Sequence, residues 1–167
     1  APNGLAQQGL LLASLGDAGV AASALSCAEA HGTGTNLGDP TEAGALASAH
    51  GAVDRDAALV IGAAKANVGH SEAASGQIGI LTARHVIEDL SLSGNAQLRK
   101  INLLVGDRLG DKAASLSLPT HSAVSTSASG ISSFGYSGTI SHHILALGSA
   151  STTPVPRVQS KLKFRMI

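Results

Sequence analysis

The sequence predicts an α/β domain, and three observations carry the prediction. Apolar runs of strand length alternate with stretches of helix length, the connections between them are short and rich in glycine, and the polar, glycine-containing motifs fall where a strand should end. Open α/β sheets hold their ligands at that end of the strands, so the pattern points to a site as well as to a fold.

Residues 5–18 (LAQQGLLLASLGDA) are predicted as a first helix, with Asn3 as a cap and Gly19 as its stop. Residues 24–30 (ALSCAEA) follow as a short buried strand that leads into HGTGT. The next helix should start at Asp39-Pro40-Thr41-Glu42. Asp39 can accept from the first unpaired N–H groups, Pro40 suits the first helical position, and Glu42 sits at the reciprocal capping position. This helix should run to about His50 and stop at Gly51.

Residues 58–64 (ALVIGAA) read as a second buried strand, ANVGH as a turn, and residues 72–90 as a helix whose first half is rich in small residues. Gly76 and Gly79 would each cost roughly 1 kcal/mol in an exposed helix. They predict that this helix lies against another backbone, as a central buried helix does. Residues 91–112 are expected to be irregular, 114–118 (ASLSL) a short strand, and 130–147 a strand, a glycine-rich turn and a strand. The domain is expected to occupy residues 1–148, and 149–167, with two prolines and a late basic cluster, to be a linker or tail.

Hydrophobic residues make up 44% of the chain but aromatic ones only 2%, so the core must be built from Ala, Val, Ile and Leu. Charged residues are 13%, against roughly 25% in ordinary soluble domains. A surface this poor in charge implies cover by another domain or subunit, or a piece of a longer chain. Eleven basic residues balance eleven acidic ones with no basic stripe, which argues against nucleic acid as a partner. No apolar run reaches the ~18–20 residues of a membrane span, and the N-terminus carries no secretory pattern. The single cysteine, Cys27, excludes an internal disulfide and a cysteine-based metal site, and makes a reducing cytosolic or organellar compartment the expectation.

Three stretches carry the chemistry: AEAHGTGTNLGDPTEAGAL (28–46), KANVGHSEAASG (65–76) and SSFGYSGTISH (132–142). Each sets a polar or ring-bearing residue among glycines, which let a substrate approach the backbone closely. A metal site from His31, His70 and Glu72 is allowed by ligand type, but no metal-binding spacing such as H-E-x-x-H is present. The glycines of HGTGT lack the Lys-Ser/Thr ending of a phosphate loop.

In order and spacing, these stretches resemble the three C-terminal signatures of β-ketoacyl synthases, with HGTGT and GDP-x-E closest to the multifunctional, type I polyketide synthases. The resemblance covers about residues 1–148. It implies a thiolase-like fold, of which this chain is the C-terminal half, a mixed sheet with packed helices. It also implies an acyltransferase reaction of polyketide or fatty-acid synthesis: decarboxylative Claisen condensation of a cysteine-held acyl thioester with malonyl on an acyl carrier protein. No cofactor is expected beyond the phosphopantetheine arm that carries the substrate.

By the same resemblance His31 and His70 are the histidine pair and Lys65 the fixed charge beside them, with Glu72 expected to pair with Lys65. Thr33 and Thr35 match positions that bind the pantetheine arm or malonyl group. Gly135, Tyr136, Ser137 and Gly138 match a gating loop whose aromatic residue shields the acyl pocket and whose backbone N–H contributes to the oxyanion hole. His142 matches a histidine of structural role, and His50, His85, His121 and His143 are expected to be ordinary surface or partly buried residues.

The family's nucleophilic cysteine belongs to an upstream half. Nothing like its motif occurs in this sequence, and Cys27 is expected to be a small buried hydrophobe. The implied partners are that N-terminal half, a carrier protein, and a second copy of the full domain. The chain departs from the family at Tyr136, where phenylalanine is commoner, and at Ile140-Ser141, where Asn-Ala is usual. It also lacks the Pro-Pro of the 91–112 region, although Asn102 resembles that region's later asparagine, and the tryptophan before the gating strand. A diverged, non-catalytic binding or scaffold module is therefore the alternative reading.

Overall fold

A computed structural model describes residues 2–96, 98–124 and 128–147; the expected tail at 149–167 lies outside the described residues. Helix α1 (Gly4–Ala18) starts and stops where its sequence predicts. The Asn3 side chain accepts from the Ala6 N–H at 3.1 Å, and Gly19, at φ 63°, turns the chain out while its N–H closes on the Gly16 carbonyl. Strand β1 (Cys27–Glu29) leads to helix α2 (Gly38–His50), and β2 (Leu59–Gly62) to a short helix α3 (Ala64–Val68) where a turn was expected. Helix α4 (Ser75–Asp89) follows a 3₁₀ turn over Glu72–Ala74.

The region expected to be irregular holds β3 (Ser91–Leu92), helix α5 (Leu103–Leu109) and a 3₁₀ segment at Gly110–Ser115. Helix α5 is capped by Asn102, whose side chain accepts from the Leu104 N–H at 2.9 Å, a signal that the missing family prolines obscured. Strands β4 (Leu116–Ser117), β5 (Ala123–Val124), β6 (Ala128–Phe134) and β7 (Ile140–Ala146) complete the chain.

Five strands form one mixed sheet in the order β4-β2-β1-β6-β7, parallel except for the β6–β7 hairpin, and β3 pairs antiparallel with β5. The two-residue period of a strand divides the sheet into two faces. Ala28, Leu59, Ile61 and Ala128 pack with Leu11 and Leu15 of α1, Leu46 of α2 and Leu109 of α5, forming the larger core. Cys27 and Val60 point to the other face, against Val86 of α4 and Leu92. Cys27 is buried there, as its sequence context predicts.

The glycines of α4 serve close approach to the sheet. A methyl on Gly76 would come within 3.1 Å of Ser133 Oγ, and one on Gly79 within 3.0 Å of Ile131 Cγ2, both on β6. The helix lies as near the sheet as backbone and strand side chains permit. On its far side Ile80 and Leu81 are exposed, Leu81 by 62%. No helix among the described residues is long and apolar enough to cross a membrane.

Candidate active site

The site forms where β1, β2 and β6 end side by side. β1 and β2 run parallel with Glu29 opposite Gly62, so His31, two residues past β1, and Lys65, on α3 just past β2, leave the sheet at neighbouring points. The loop from His31 to Thr35 wraps around two carboxylates from the start of α2. The His31 and Gly32 N–H groups donate to Glu42 Oε1 and Oε2 at 2.7 and 2.9 Å. Those of Gly34 and Thr35 donate to Asp39, at 3.1 and 3.3 Å. Successive N–H groups converging on an anion need left-handed backbone, and Gly32 (φ 45°) and Gly34 (φ 75°) provide it.

This corrects the expected capping box. Asp39 and Glu42 lie within a helix that begins at Gly38, and their carboxylates reach back to the loop instead of capping their own helix. Thr35 takes over at the helix start, its Oγ1 accepting from the Gly38 N–H at 3.1 Å. Thr33 Oγ1 lies 3.4 Å from Thr35 Oγ1, so the two hydroxyls meant for a pantetheine arm stand together at the rim of the site.

The His31 and His70 rings lie edge to face with centroids 6.0 Å apart. Each ring is oriented through Nδ1. The Phe134 N–H donates to His31 Nδ1 at 3.3 Å, and the Glu72 N–H to His70 Nδ1 at 3.1 Å, with Ser75 Oγ at 2.9 Å from the same nitrogen. A nitrogen that accepts cannot carry the proton of a neutral imidazole, so both rings hold it on Nε2. Burial, then the charge of Lys65, then His70 press the His31 pKa from 6.5 down to about 4, and His31 is neutral at physiological pH.

Glu72 does not pair with Lys65. Its backbone is bent to φ 46°, which aims its N–H at His70, and its side chain is exposed. The charges that act on Lys65 are Glu29, Glu42 and Asp39, which hold its ammonium against the downward pull of burial. Tyr136, expected to shield the pocket, stands fully in solvent at the tip of a tight turn closed by the Gly135 N–H on the Thr139 carbonyl at 2.7 Å. Among the described residues nothing stands opposite this ring for it to close against.

A cavity of about 420 Å³ opens beside the pair, with Thr33, Lys65 and His70 at its rim and Leu46, Ile61 and Leu109 in its wall. Neither His31 nor the Gly135–Gly138 turn lines it. His142 lies farther along the same face of the sheet, buried toward α1 and α2, its Nδ1 3.0 Å from Ser132 Oγ, in keeping with a structural role. His50, expected to be a surface or partly buried residue, is fully buried in the last turn of α2. Among the described residues no group of three metal-ligating side chains converges.

Sequence reasoning missed Asn95, whose Oδ1 accepts from the Ala63 N–H at 2.8 Å and whose Nδ2 donates to the Ile61 carbonyl at 3.1 Å, tying the loop after β3 to the end of β2. It also missed Glu29, although a carboxylate inside an apolar strand (SCAEA) was a signal in plain view.

A mixed sheet with two histidines and a lysine gathered at its strand ends defines a thiolase-like fold with a polar site at the ends of its parallel strands. The chain belongs to the β-ketoacyl synthases, whose C-terminal domain matches residues 1–98. It is 38% identical over 149 residues to erythronolide synthase EryA2 of Saccharopolyspora erythraea, and 36% identical over 159 residues to 6-methylsalicylic acid synthase of Penicillium patulum. Those matches take in 87% and 93% of this chain but only 4% and 9% of the relatives' lengths. A ketosynthase domain of the oxazolomycin system of Streptomyces albus superposes with a TM-score of 0.78 at 31% identity, over 92% of this chain and 28% of that one. The ketosynthase from module 1 of the bacillaene synthase of Bacillus amyloliquefaciens gives 0.79 at 26% identity, over 90% and 29%.

Proposed function

We propose that this chain supplies the decarboxylating side of a ketosynthase active site, acting on malonyl carried by an acyl carrier protein. One observation carries the reading: two imidazole rings 6.0 Å apart, each with Nδ1 occupied by a backbone N–H. Both Nε2–H groups are thereby left as donors. When malonyl loses CO2, the electron pair of the broken C–C bond passes onto the thioester oxygen. Two preset N–H donors stabilise that enolate without surrendering a proton. The carbanion then attacks an acyl thioester, a new C–C bond forms, and the cysteine thiolate leaves.

Cys27 is not that cysteine, since it lies buried under α4 on the sheet's second face. The thiol comes from an N-terminal ketosynthase half, and the exposed Ile80 and Leu81 of α4 are where an apolar partner surface would seat. Thr33 and Thr35 hold the pantetheine arm, and the completed domain pairs as a homodimer.

The test joins this chain, fused or in trans, to the N-terminal half of a related ketosynthase. His31→Ala and His70→Ala should each abolish condensation from malonyl-carrier protein while radiolabelled acyl loading of the upstream cysteine persists. Equal loss of loading and condensation would overturn the division of roles.

A further inference from the structure

Among the charges that act on Lys65, Glu29 comes first, and it acts from a buried slot between the sheet and α4. It is 3% exposed, in the middle of the sheet, on the face that α4 covers. Gly62 leaves room for its carboxyl, while Gly79 packs against its stem at ordinary contact distance. A methyl on Gly62 of β2 would sit 3.2 Å from Glu29 Oε2, and one on Gly79 of α4 would sit 3.6 Å from Glu29 Cγ. Oε1 accepts from the Ala64 N–H at 2.6 Å, the residue that opens α3 and immediately precedes Lys65. Oε2 has no hydrogen-bond partner among the described residues.

We propose that Glu29 is the positioning residue for Lys65: one carboxyl oxygen anchors the first turn of α3, and the other, unpartnered, supplies the counter-charge that keeps the lysine an ammonium beside His31 and His70. The inference rests on the reading that Lys65 is the fixed charge of the site. When the carboxyl is ionised, an oxygen with no donor on it leaves its charge unshared, and in a low-dielectric slot that charge acts on the nearest cation. The charges that act on it are Lys65 of α3 and Glu42 of α2, whereas the positions set beside it on β2, α4 and β6 are the uncharged Gly62, Gly79 and Ile131. Burial lifts the carboxyl to about 7 against the opposing pull of Ala64 and Lys65, so its charge changes within the neutral range.

The test uses the 167-residue chain and reads Lys65 directly, by pH-dependent acetylation with acetic anhydride quantified by mass spectrometry. Glu29→Gln keeps the acceptor for Ala64 but removes the charge. The pH of half-reaction at Lys65 should fall by about one unit, a roughly tenfold gain in reactivity at pH 8. Lys100 and Lys112 serve as internal controls and should not change. An unchanged Lys65 profile in a folded Glu29→Gln chain overturns the proposal.

If Glu29→Gln does not fold, Lys65→Met provides the reciprocal measurement. The 13C-carboxyl midpoint of Glu29 should rise once the lysine charge is gone, and an unmoved midpoint is equally fatal. Because neither readout needs turnover, failure of condensation in the reconstituted domain with the Lys65 shift intact would count against the proposed function alone.

Discussion

Four N–H groups in the five residues from His31 to Thr35 point inward at Glu42 and Asp39, and this fixes where the His31 ring stands. Burial raises the Glu42 carboxyl to about 7, and the Gly32 and His31 N–H groups pull it back. Glu42→Ala should therefore cost more than Glu42→Gln. The alanine strands two buried N–H groups at about 1–3 kcal/mol each, while the glutamine still accepts one of them. Urea unfolding of the two variants measures the difference. His31, with its pKa near 4, is already neutral at pH 5. Between pH 5 and 8 its protonation should contribute no limb to the rate of malonyl decarboxylation, measured as CO2 release in the reconstituted domain; a limb lost with His31→Gln would contradict this.

At the scale of elements, tight approach decides more than propensity. Gly130 of β6 faces His142, and a methyl there would fall 2.8 Å from His142 Nε2. Gly130→Ala should destabilise the chain by about 1–3 kcal/mol, as overpacking does, and the same change at Gly9 of α1, which has nothing within 4 Å, should not. Leu25→Ala, at a side chain with no exposure, should cost about 2–5 kcal/mol. Most elements were legible because their signals are local: Asn3 and Gly19 bracket α1, and the alternation around Gly135–Thr139 marks the hairpin. Helix α5 escaped because seven residues give too short a period to read, and Asp39 and Glu42 misled because a helix-starting carboxylate looks the same whichever backbone it serves.

For the molecule as a whole, buried titratable groups set opposing pH trends. Burial lowers His31, His50 and His142 from 6.5 to about 4 and raises Glu29 and Glu42 from 4.5 to about 7. The histidines' contribution is full above pH 6.5 and is lost as pH falls toward 4, where the unfolded chain binds more protons. The glutamates' contribution is full below pH 4.5 and is lost as pH rises toward 7. Between 4.5 and 6.5 the three histidines gain while the two glutamates lose, so the urea midpoint should rise gently from pH 5 to 6.5. Glu29→Gln removes one opposing group, and its midpoint should then rise more steeply over the same interval; an unchanged slope in that variant would contradict the assignment.

The sequence by itself determined most of the order of strands and helices and the family, and it singled out the two histidines that the fold brings together, because periodicity, caps and motifs act over a few residues. Only the tertiary structure decided that Glu72 serves through its backbone, that Tyr136 faces solvent, and that Glu29 rather than Glu72 stands by Lys65. Those outcomes depend on parallel pairing of β1 with β2, in which Cys27 meets Val60 and Glu29 meets Gly62 across 33 residues of chain, and on the glycines that let α4 settle onto the sheet. No local pattern records a distance between segments so far apart.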